Sequence, residues 1–268
     1  MLKFLKNWTL PLAMFAGAIG YFLLANVTIL EPAKPFVNWL IAVLTPFLIF
    51  AQLLLTFCKI EPKELLPKAW HVWLLSIQAV SSGIIALLLI FCPMEEAYRD
   101  IFEGAMVCLI CPTATAAAVI TGKLGGSAST LTTYTLLSNV LAAIAVPLVF
   151  PLVEPHADIT FVVAFLKILS KVFPLLLAPF FIALLFRYYI PSVHRLLSKY
   201  HGVAFYLWAV ALTIVTGQTV RSLVTAAADV SIEIMIALAG LATCCLQFYF
   251  GKRIGSAYHD RISAGQAL

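Results

Sequence analysis

The stretch Cys111-Pro112-Thr113-Ala114-Thr115-Ala116-Ala117-Ala118-Val119-Ile120-Thr121-Gly122 decides how this chain folds, because it places a proline and several threonines inside an apolar segment long enough to cross a bilayer. Proline removes a backbone N–H and clashes with the carbonyl four residues earlier, so the sequence predicts a helix break near Cys111. Broken backbone is tolerated at membrane depth only where protein or a polar cavity surrounds it. The segment is therefore predicted to form a binding site, as discontinuous helices do in secondary transporters.

The composition of the whole chain is that of an all-α polytopic membrane protein. Hydrophobic residues make up 63% of the 268 residues and charged residues 11%, whereas a soluble domain carries about 25% charged residues. The net charge of +5 is spread over loops, so it indicates topology and no nucleic-acid partner is expected. The six cysteines lie mostly within apolar runs, which is typical of buried thiols and not of a disulfide framework.

Turn and charge signals divide the chain into eight membrane spans and the beginning of a ninth. The predicted spans cover about 9–29, 36–58, 70–92, 102–122, 127–150, 163–187, 201–222 and 231–251, and the ninth begins near 256. A span needs about 20 residues. Because the sequence stops at Leu268, the chain is expected to be truncated within helix 9 and to lack a tenth helix.

The basic residues predict an inner-membrane protein with a cytoplasmic N-terminus. In that orientation twelve lysines and arginines lie in inside segments, and only Lys34, Arg99 and Arg221 lie in outside loops. The remaining two lysines fall in an amphipathic stretch, 161–173, which is expected to rest on the outer interface. Five spans precede this stretch. Because five is an odd number of spans, a second group of five spans would enter the membrane from the opposite side. The sequence therefore indicates an inverted 5+5 repeat, in which helix 9 is the broken counterpart of helix 4.

The chain resembles the bile acid:sodium symporter family, including its bacterial members. The fourth-span motif of that family reads roughly Cys-Pro-Gly-Gly-Thr-x-Ser-Asn-Val-Ile-Thr. The positions here that match this motif are Cys111, Pro112, Thr115, Val119, Ile120 and Thr121. Weaker matches are Gln78 for a third-span glutamine, Gly251 and Gly255 for a Gly-x-x-x-Gly exit from the eighth span, and Arg261 to Gln266 in place of an Arg-Thr-x-x-x-Glu element.

The resemblance implies a ten-helix fold with two groups of helices. A panel would comprise the helices in about 9–58 and 163–222, and a core those in about 70–150 and 231–268, where the broken helices 4 and 9 cross. The implied activity is secondary active, alternating-access transport of an organic anion, bile-acid-like or a small carboxylate, across the lipid bilayer. Sodium is the only coupling ion that the resemblance implies, and no other cofactor is expected.

Departures from the family pattern make sodium coupling doubtful. The resemblance places side-chain oxygen ligands for sodium at positions that hold Ala117, Ala118 and Leu131 here, and it places an acidic ligand at Gln266. Alanine and leucine offer no side-chain oxygen to a dehydrated cation. The ion-binding candidates that remain are Gln78, Thr135 and Gln266.

The substrate-binding candidates are Pro112, Thr113 and Thr115 at the break and Asn139 in the fifth span, which shares a helix face with Thr135. Other interpretations of these residues stay open. Threonines in membrane helices often bond back to their own backbone, and buried amides such as that of Gln78 often join helices. The alternative functions are a membrane-embedded enzyme or a receptor-like binding protein. Transport is favoured because no catalytic constellation is visible at membrane depth.

We expect the loops 59–68 and 188–200 to lie on the same, cytoplasmic side of the membrane, because an even number of spans separates them. Lys63→Cys and Arg195→Cys, each in a background without other cysteines, should react with an impermeant maleimide only in inverted vesicles. Glu95→Cys, in a predicted outside loop, should react only in right-side-out vesicles. Labelling of positions 63 and 195 from opposite sides would contradict the span count.

Overall fold

A computed structural model describes residues 8–59, 66–114, 116–155, 159–199, 203–225 and 230–268, and these residues are almost entirely helical. The helices are α1 (Thr9–Asn26), α2 (Lys34–Cys58), α3 (Ala69–Phe91), α4 (Glu96–Ile110), α5 (Ala116–Lys123), α6 (Ala128–Val153), α7 (Phe161–Tyr189), α8 (Pro191–Lys199), α9 (Val203–Thr225), α10 (Val230–Ala257) and α11 (Arg261–Gly265). A short 3-10 turn, Thr28–Ala33, precedes α2. Within the described ranges, seven helices are long and apolar enough to cross a membrane: α1, α2, α3, α6, α7, α9 and α10. The expectation of an all-α polytopic membrane protein is confirmed.

One element boundary from the sequence was wrong. The predicted span 163–187 corresponds to α7, whose beginning is the stretch 161–173 and which continues through Pro174. The ninth span does not begin near 256, because α10 continues to Ala257. Its glycines do not end the helix; they allow close packing, and a Cβ on Gly251 would collide with the Ala264 carbonyl of the following segment.

One group of helices is organised around α9. Helix α9 packs against α1 and α2, and α2 packs in turn against α7. Two glycines bring α1 and α9 into backbone contact, since a Cβ on Gly17 would collide with the Thr213 carbonyl and one on Gly217 would lie 3.0 Å from the Gly17 carbonyl oxygen. Between α2 and α7, the rings of Phe57 and Phe180 meet edge to face at 5.6 Å. Small residues and aromatic contacts of this kind provide the van der Waals packing that associates helices in lipid.

The second group contains the broken span. Helix α3 packs against α4 and α6, α4 packs against α10, and α10 packs against α11. Arg99 joins three of these helices at one end, because it donates to the carbonyl of Leu89 at 3.3 Å, donates to the carbonyl of Val153, and pairs with Glu103 at 2.9 Å. The guanidinium thus satisfies carbonyls in the last turns of α3 and α6, where the intrahelical ladder runs out. Contacts between α6 and α7 connect the two groups.

We expect Gly17→Ala to lower the free energy of unfolding by about 1–3 kcal/mol, because its new methyl group would force α1 and α9 apart. Gly20→Ala is the matched control, one turn along the same helix, where a Cβ meets nothing within 4 Å. It should leave stability unchanged or raise it by up to about 1 kcal/mol through helix propensity. The measurement is unfolding of the purified protein in mixed micelles titrated with dodecyl sulfate. Equal losses in both variants would contradict the glycine contact.

Candidate functional site

The predicted helix break lies where the sequence indicates it. Helix α4 ends at Ile110, α5 begins at Ala116, and Cys111 has non-helical backbone angles of φ −59° and ψ 135°. The ring of Pro112 explains these angles, because the residue before a proline is pushed out of the α region toward extended conformations. The carbonyl groups at the end of α4 are thereby released from the helical ladder and need other partners.

Gln78 of α3 provides those partners. Its amide nitrogen Nε2 donates to the carbonyls of Ile110 at 3.2 Å and Cys111 at 3.1 Å. Its oxygen Oε1 accepts hydrogen bonds from the hydroxyls of Tyr134 and Ser138, both at 3.2 Å. Both N–H groups and both lone pairs of the amide are therefore used, in a side chain that is 2% exposed. Of the two interpretations open for Gln78, the interhelical hydrogen bond is the one that this geometry describes.

The break also contacts the end of the chain. The Thr113 hydroxyl donates to the carbonyl of Ala267, which follows α11. The Ser127 N–H, at the start of α6, donates to the hydroxyl of Ser263 at 2.9 Å. The irregular segment 111–114 and the segment after α10 thus meet inside the second group of helices.

The corner between α10 and α11 is held by its own polar contacts. Lys68 pairs with Asp260 at 2.8 Å, and the indole N–H of Trp73 donates to the hydroxyl of Tyr258 at 2.9 Å. Partial burial of Asp260 raises the pKa of its carboxyl, but hydrogen bonds from Lys68 and Ser263 and the charge of Lys68 outweigh it, so the pKa lies below its ordinary value. The carboxylate form is therefore favoured, and with it the attachment of this corner to the beginning of α3.

Three of the four positions that depart from the family pattern, Ala117, Ala118 and Leu131, lie in or against an apolar cluster. Ala118 and Leu131 pack with Ala264 and Ala267, and Ala117 lies against them half-buried. Trp70, Leu74 and Tyr134 complete the cluster, which contains the fully buried Leu131 and Ala264. Among the side chains of this cluster, the Tyr134 hydroxyl is the one oxygen, and it donates to Gln78.

The remaining candidate residues differ in their hydrogen bonds and in their burial. The Thr135 hydroxyl donates to the carbonyl of Leu131 at 3.0 Å, so it bonds back to its own helix. Asn139 is 2% exposed, and its amide nitrogen has no hydrogen-bond partner among the described residues. Pro112 and Gln266 are half-buried. Thr115 lies outside the described residues.

Sequence reasoning missed two partners of the site. Tyr134 was not among the candidates, although it lies one helical turn from Ser138 and so shares its face toward Gln78. Asp260 and Lys68 are 192 residues apart, and no local pattern indicates that they pair.

A comparison with protein families assigns the chain to a family and thereby to a class of activity. The model of the Sodium Bile acid symporter family matches residues 1–226. The chain belongs to this family. A search of curated proteins finds no match to the chain. As a member of the sodium bile acid symporter family it is a multi-pass membrane transporter and not an enzyme, since the family consists of transporters. The resemblance expected from the sequence is confirmed.

We expect Gln78→Leu to destabilise this transporter by about 1–3 kcal/mol, because it leaves the Ile110 and Cys111 carbonyls and two hydroxyls without their partner. Gln52→Leu is the matched control, since Gln52 is also buried in a long helix but its amide oxygen has no hydrogen-bond partner among the residues that the structure describes. That control should be neutral or stabilising. Unfolding in mixed micelles measures both, and a cost for Gln52→Leu equal to that of Gln78→Leu would contradict the role of the amide at the break.

We expect Asp260→Asn to lower stability by about 1 kcal/mol at pH 7, as loss of a partly buried ion pair does. Because the folded-state pKa of Asp260 is lowered, the stabilisation is present above about pH 4, the unfolded pKa, and is lost as the pH falls through the folded pKa. The difference between wild type and variant should therefore vanish in acid. Glu31→Gln, which removes an exposed pair with Lys34 at 3.4 Å, is the control and should change little at any pH. Thermal unfolding from pH 3 to 7 provides the test.

Proposed function

We propose that this transporter moves an organic anion, bile-acid-like or a small carboxylate, by alternating access, and that the anion binds where the α4–α5 break meets the segment after α11. The observation that carries the proposal is the irregular segment 111–114, where Gln78 donates to the Cys111 carbonyl and the Thr113 hydroxyl donates to the Ala267 carbonyl. The segment is exposed at Cys111 and Ala114 and half-buried between them. Irregular backbone at membrane depth is costly, so a structure that stabilises it this fully is best explained by a binding role.

The chemistry near the break favours an anion. Helix α5 begins at Ala116, directly after the break, and the N-terminus of a helix carries partial positive charge, although the Ala117 N–H already donates to the Ala114 carbonyl at 2.9 Å. The unpaired amide nitrogen of Asn139 is a buried donor without a partner, and a carboxylate would satisfy it. We therefore retain Pro112, Thr113, Thr115 and Asn139 as the proposed substrate-binding residues.

The two groups of helices supply the proposed moving parts. The panel would be α1, α2, α7 and α9, and the core would be α3 to α6 with α10 and α11, close to the divisions at about 9–58, 70–150, 163–222 and 231–268. The packing supports an inverted repeat, because α1 on α9 is matched by α7 on α2, and α3 on α4 by α10 on α11. Rocking of one group against the other would expose the break to each side in turn.

We propose further that transport depends only weakly on sodium. A sodium ion carried as co-substrate must recover its hydration energy from protein oxygens. Ala117, Ala118 and Leu131 offer none and pack in an apolar cluster. The Gln78 amide is fully used, and the Thr135 hydroxyl is bonded to its own helix. Of the ion-ligand candidates, Gln266 alone is left without a side-chain hydrogen bond to a described residue. The proposed location is the inner membrane with a cytoplasmic N-terminus, which the distribution of lysines and arginines supports.

Uptake into proteoliposomes of labelled cholate and labelled pyruvate tests the proposal. Replacing sodium by choline at constant pH and voltage should change uptake less than about twofold, because the side-chain ligands are missing. Thr113→Val and Asn139→Leu should each lower uptake about tenfold, the effect of losing one hydrogen bond of about 1.4 kcal/mol.

Thr132→Val is the control for these variants, since the Thr132 hydroxyl is buried on the same helix as Asn139 but bonds to the Ala128 carbonyl at 2.8 Å. It should transport normally. A tenfold fall on removal of sodium would overturn the weak coupling. Normal uptake by both Thr113→Val and Asn139→Leu would move the substrate site away from the break.

A further inference from the structure

A cavity of about 470 Å³ lies between α1, α2 and α9, within the proposed panel, and none of its lining residues belongs to α4 or α5. It is found at the end of the bundle where α1 ends and α2 begins. A volume of this size is within the range of sites that hold small molecules, about 300–1,000 Å³. None of the residues proposed to bind the transported anion lines it.

Small residues create this space. At Gly17 and Gly217 the backbones of α1 and α9 touch. One turn farther along α1, Gly20 faces open space, because a Cβ there would meet nothing within 4 Å. Ala25 of α1 and Ala42 of α2 also line the cavity and leave it unfilled. The helices are held together at the glycine contact, and the small residues beyond it leave a volume that the described residues do not fill.

The cavity is cationic at one end and apolar along its length. Its lining contains Lys34 and Arg221 and the amides of Asn38 and Gln218, but the described lining residues include no aspartate or glutamate. Arg221 donates to the Asn38 oxygen at 2.9 Å, a contact that uses one of its five N–H donors. Lys34 pairs with Glu31, which does not line the cavity, at 3.4 Å, and that pair is exposed and therefore weak. The apolar part of the lining comes from Leu24, Ile41 and Ile214.

We propose that this cavity binds an amphiphilic anion, with its anionic head between Lys34 and Arg221 and its apolar body along Leu24, Ile41 and Ile214. A guanidinium offers paired donors to a carboxylate, sulfonate or phosphate, and an ammonium adds a second positive charge. An apolar body in the cavity would remove apolar surface from water or fill a void between helices. The chemistry fits two sources, a soluble amphiphilic carboxylate or a membrane lipid with an anionic head. The site is separate from the proposed transport site and does not depend on it.

Two pairs of variants isolate the cavity. Gly20→Leu fills it from a position with room for a side chain, and Gly83→Leu on α3 is the matched control, because a Cβ on Gly83 also meets nothing within 4 Å and Gly83 does not line the cavity. Lys34→Gln with Arg221→Gln removes the charges, and Lys167→Gln with Arg195→Gln is the control that removes two cations elsewhere. Circular dichroism and size-exclusion chromatography should show that all variants remain folded.

Two probes distinguish the sources. Binding of cholate is measured by calorimetry on the full chain in phosphatidylcholine nanodiscs, and retention of phosphatidylglycerol by native mass spectrometry after purification from a phosphatidylglycerol–phosphatidylcholine mixture. We expect wild type and both controls to bind at least one probe, and both cavity variants to bind it at least tenfold more weakly. Loss of cholate alone would identify a soluble anion, and loss of phosphatidylglycerol alone a lipid; either supports the proposal.

Three results would overturn it. The first is that wild type binds neither probe, and the second is that the cavity variants bind both probes as well as wild type does. The third is that only Asn139→Leu abolishes cholate binding, while the cavity variants retain phosphatidylglycerol as wild type does. The last result assigns cholate to the break, so the outcome for this cavity is distinguishable from that for the proposed transport site.

Discussion

A chain that interrupts a helix at membrane depth must find hydrogen-bond partners for the carbonyl groups that the interruption releases, because the hydrocarbon around it supplies none. In this transporter the amide of Gln78 meets that requirement for Ile110 and Cys111, while Tyr134 and Ser138 donate to its oxygen. The amide connects α3, α4 and α6 in one place. This network satisfies the carbonyls at the break within the second helix group, while Cys111 and Ala114 remain exposed.

The same hydrogen bonds bear on whether a cation or an anion is the better ligand for the proposed site. A glutamine whose oxygen already accepts two hydrogen bonds is a poor ligand for a cation unless both donors leave it. On the neighbouring surface, Ala118 and Leu131 pack with Ala264 and bring no oxygen. The unpaired amide donor of Asn139 points to a different partner, one that accepts hydrogen bonds. These contacts are the basis for the proposal that the break binds an anion and not a dehydrated cation.

The two helix groups are stabilised in different ways. Around α9, contact between Gly17 and Gly217 allows close van der Waals packing, and the same lack of side chains leaves the neighbouring cavity open. In the second group, buried hydrogen bonds and the Lys68–Asp260 pair fix the positions of the helix ends.

The sequence by itself determined the class of protein, the helical spans and the break. The high apolar content indicates membrane helices. Pro112 lies beside a cluster of threonines, and that combination predicts a break, whereas Pro46 and Pro174 lie inside continuous helices. The sequence did not determine where the ninth helix begins, because Gly251 and Gly255 are compatible with a helix end or with close packing inside a helix. Only the tertiary structure decided that Gln78 holds the break, that Asp260 meets Lys68, and that a cationic cavity lies beside Gly20. Each of these depends on residues that are distant in the chain and become neighbours through helix packing, which local sequence patterns do not encode.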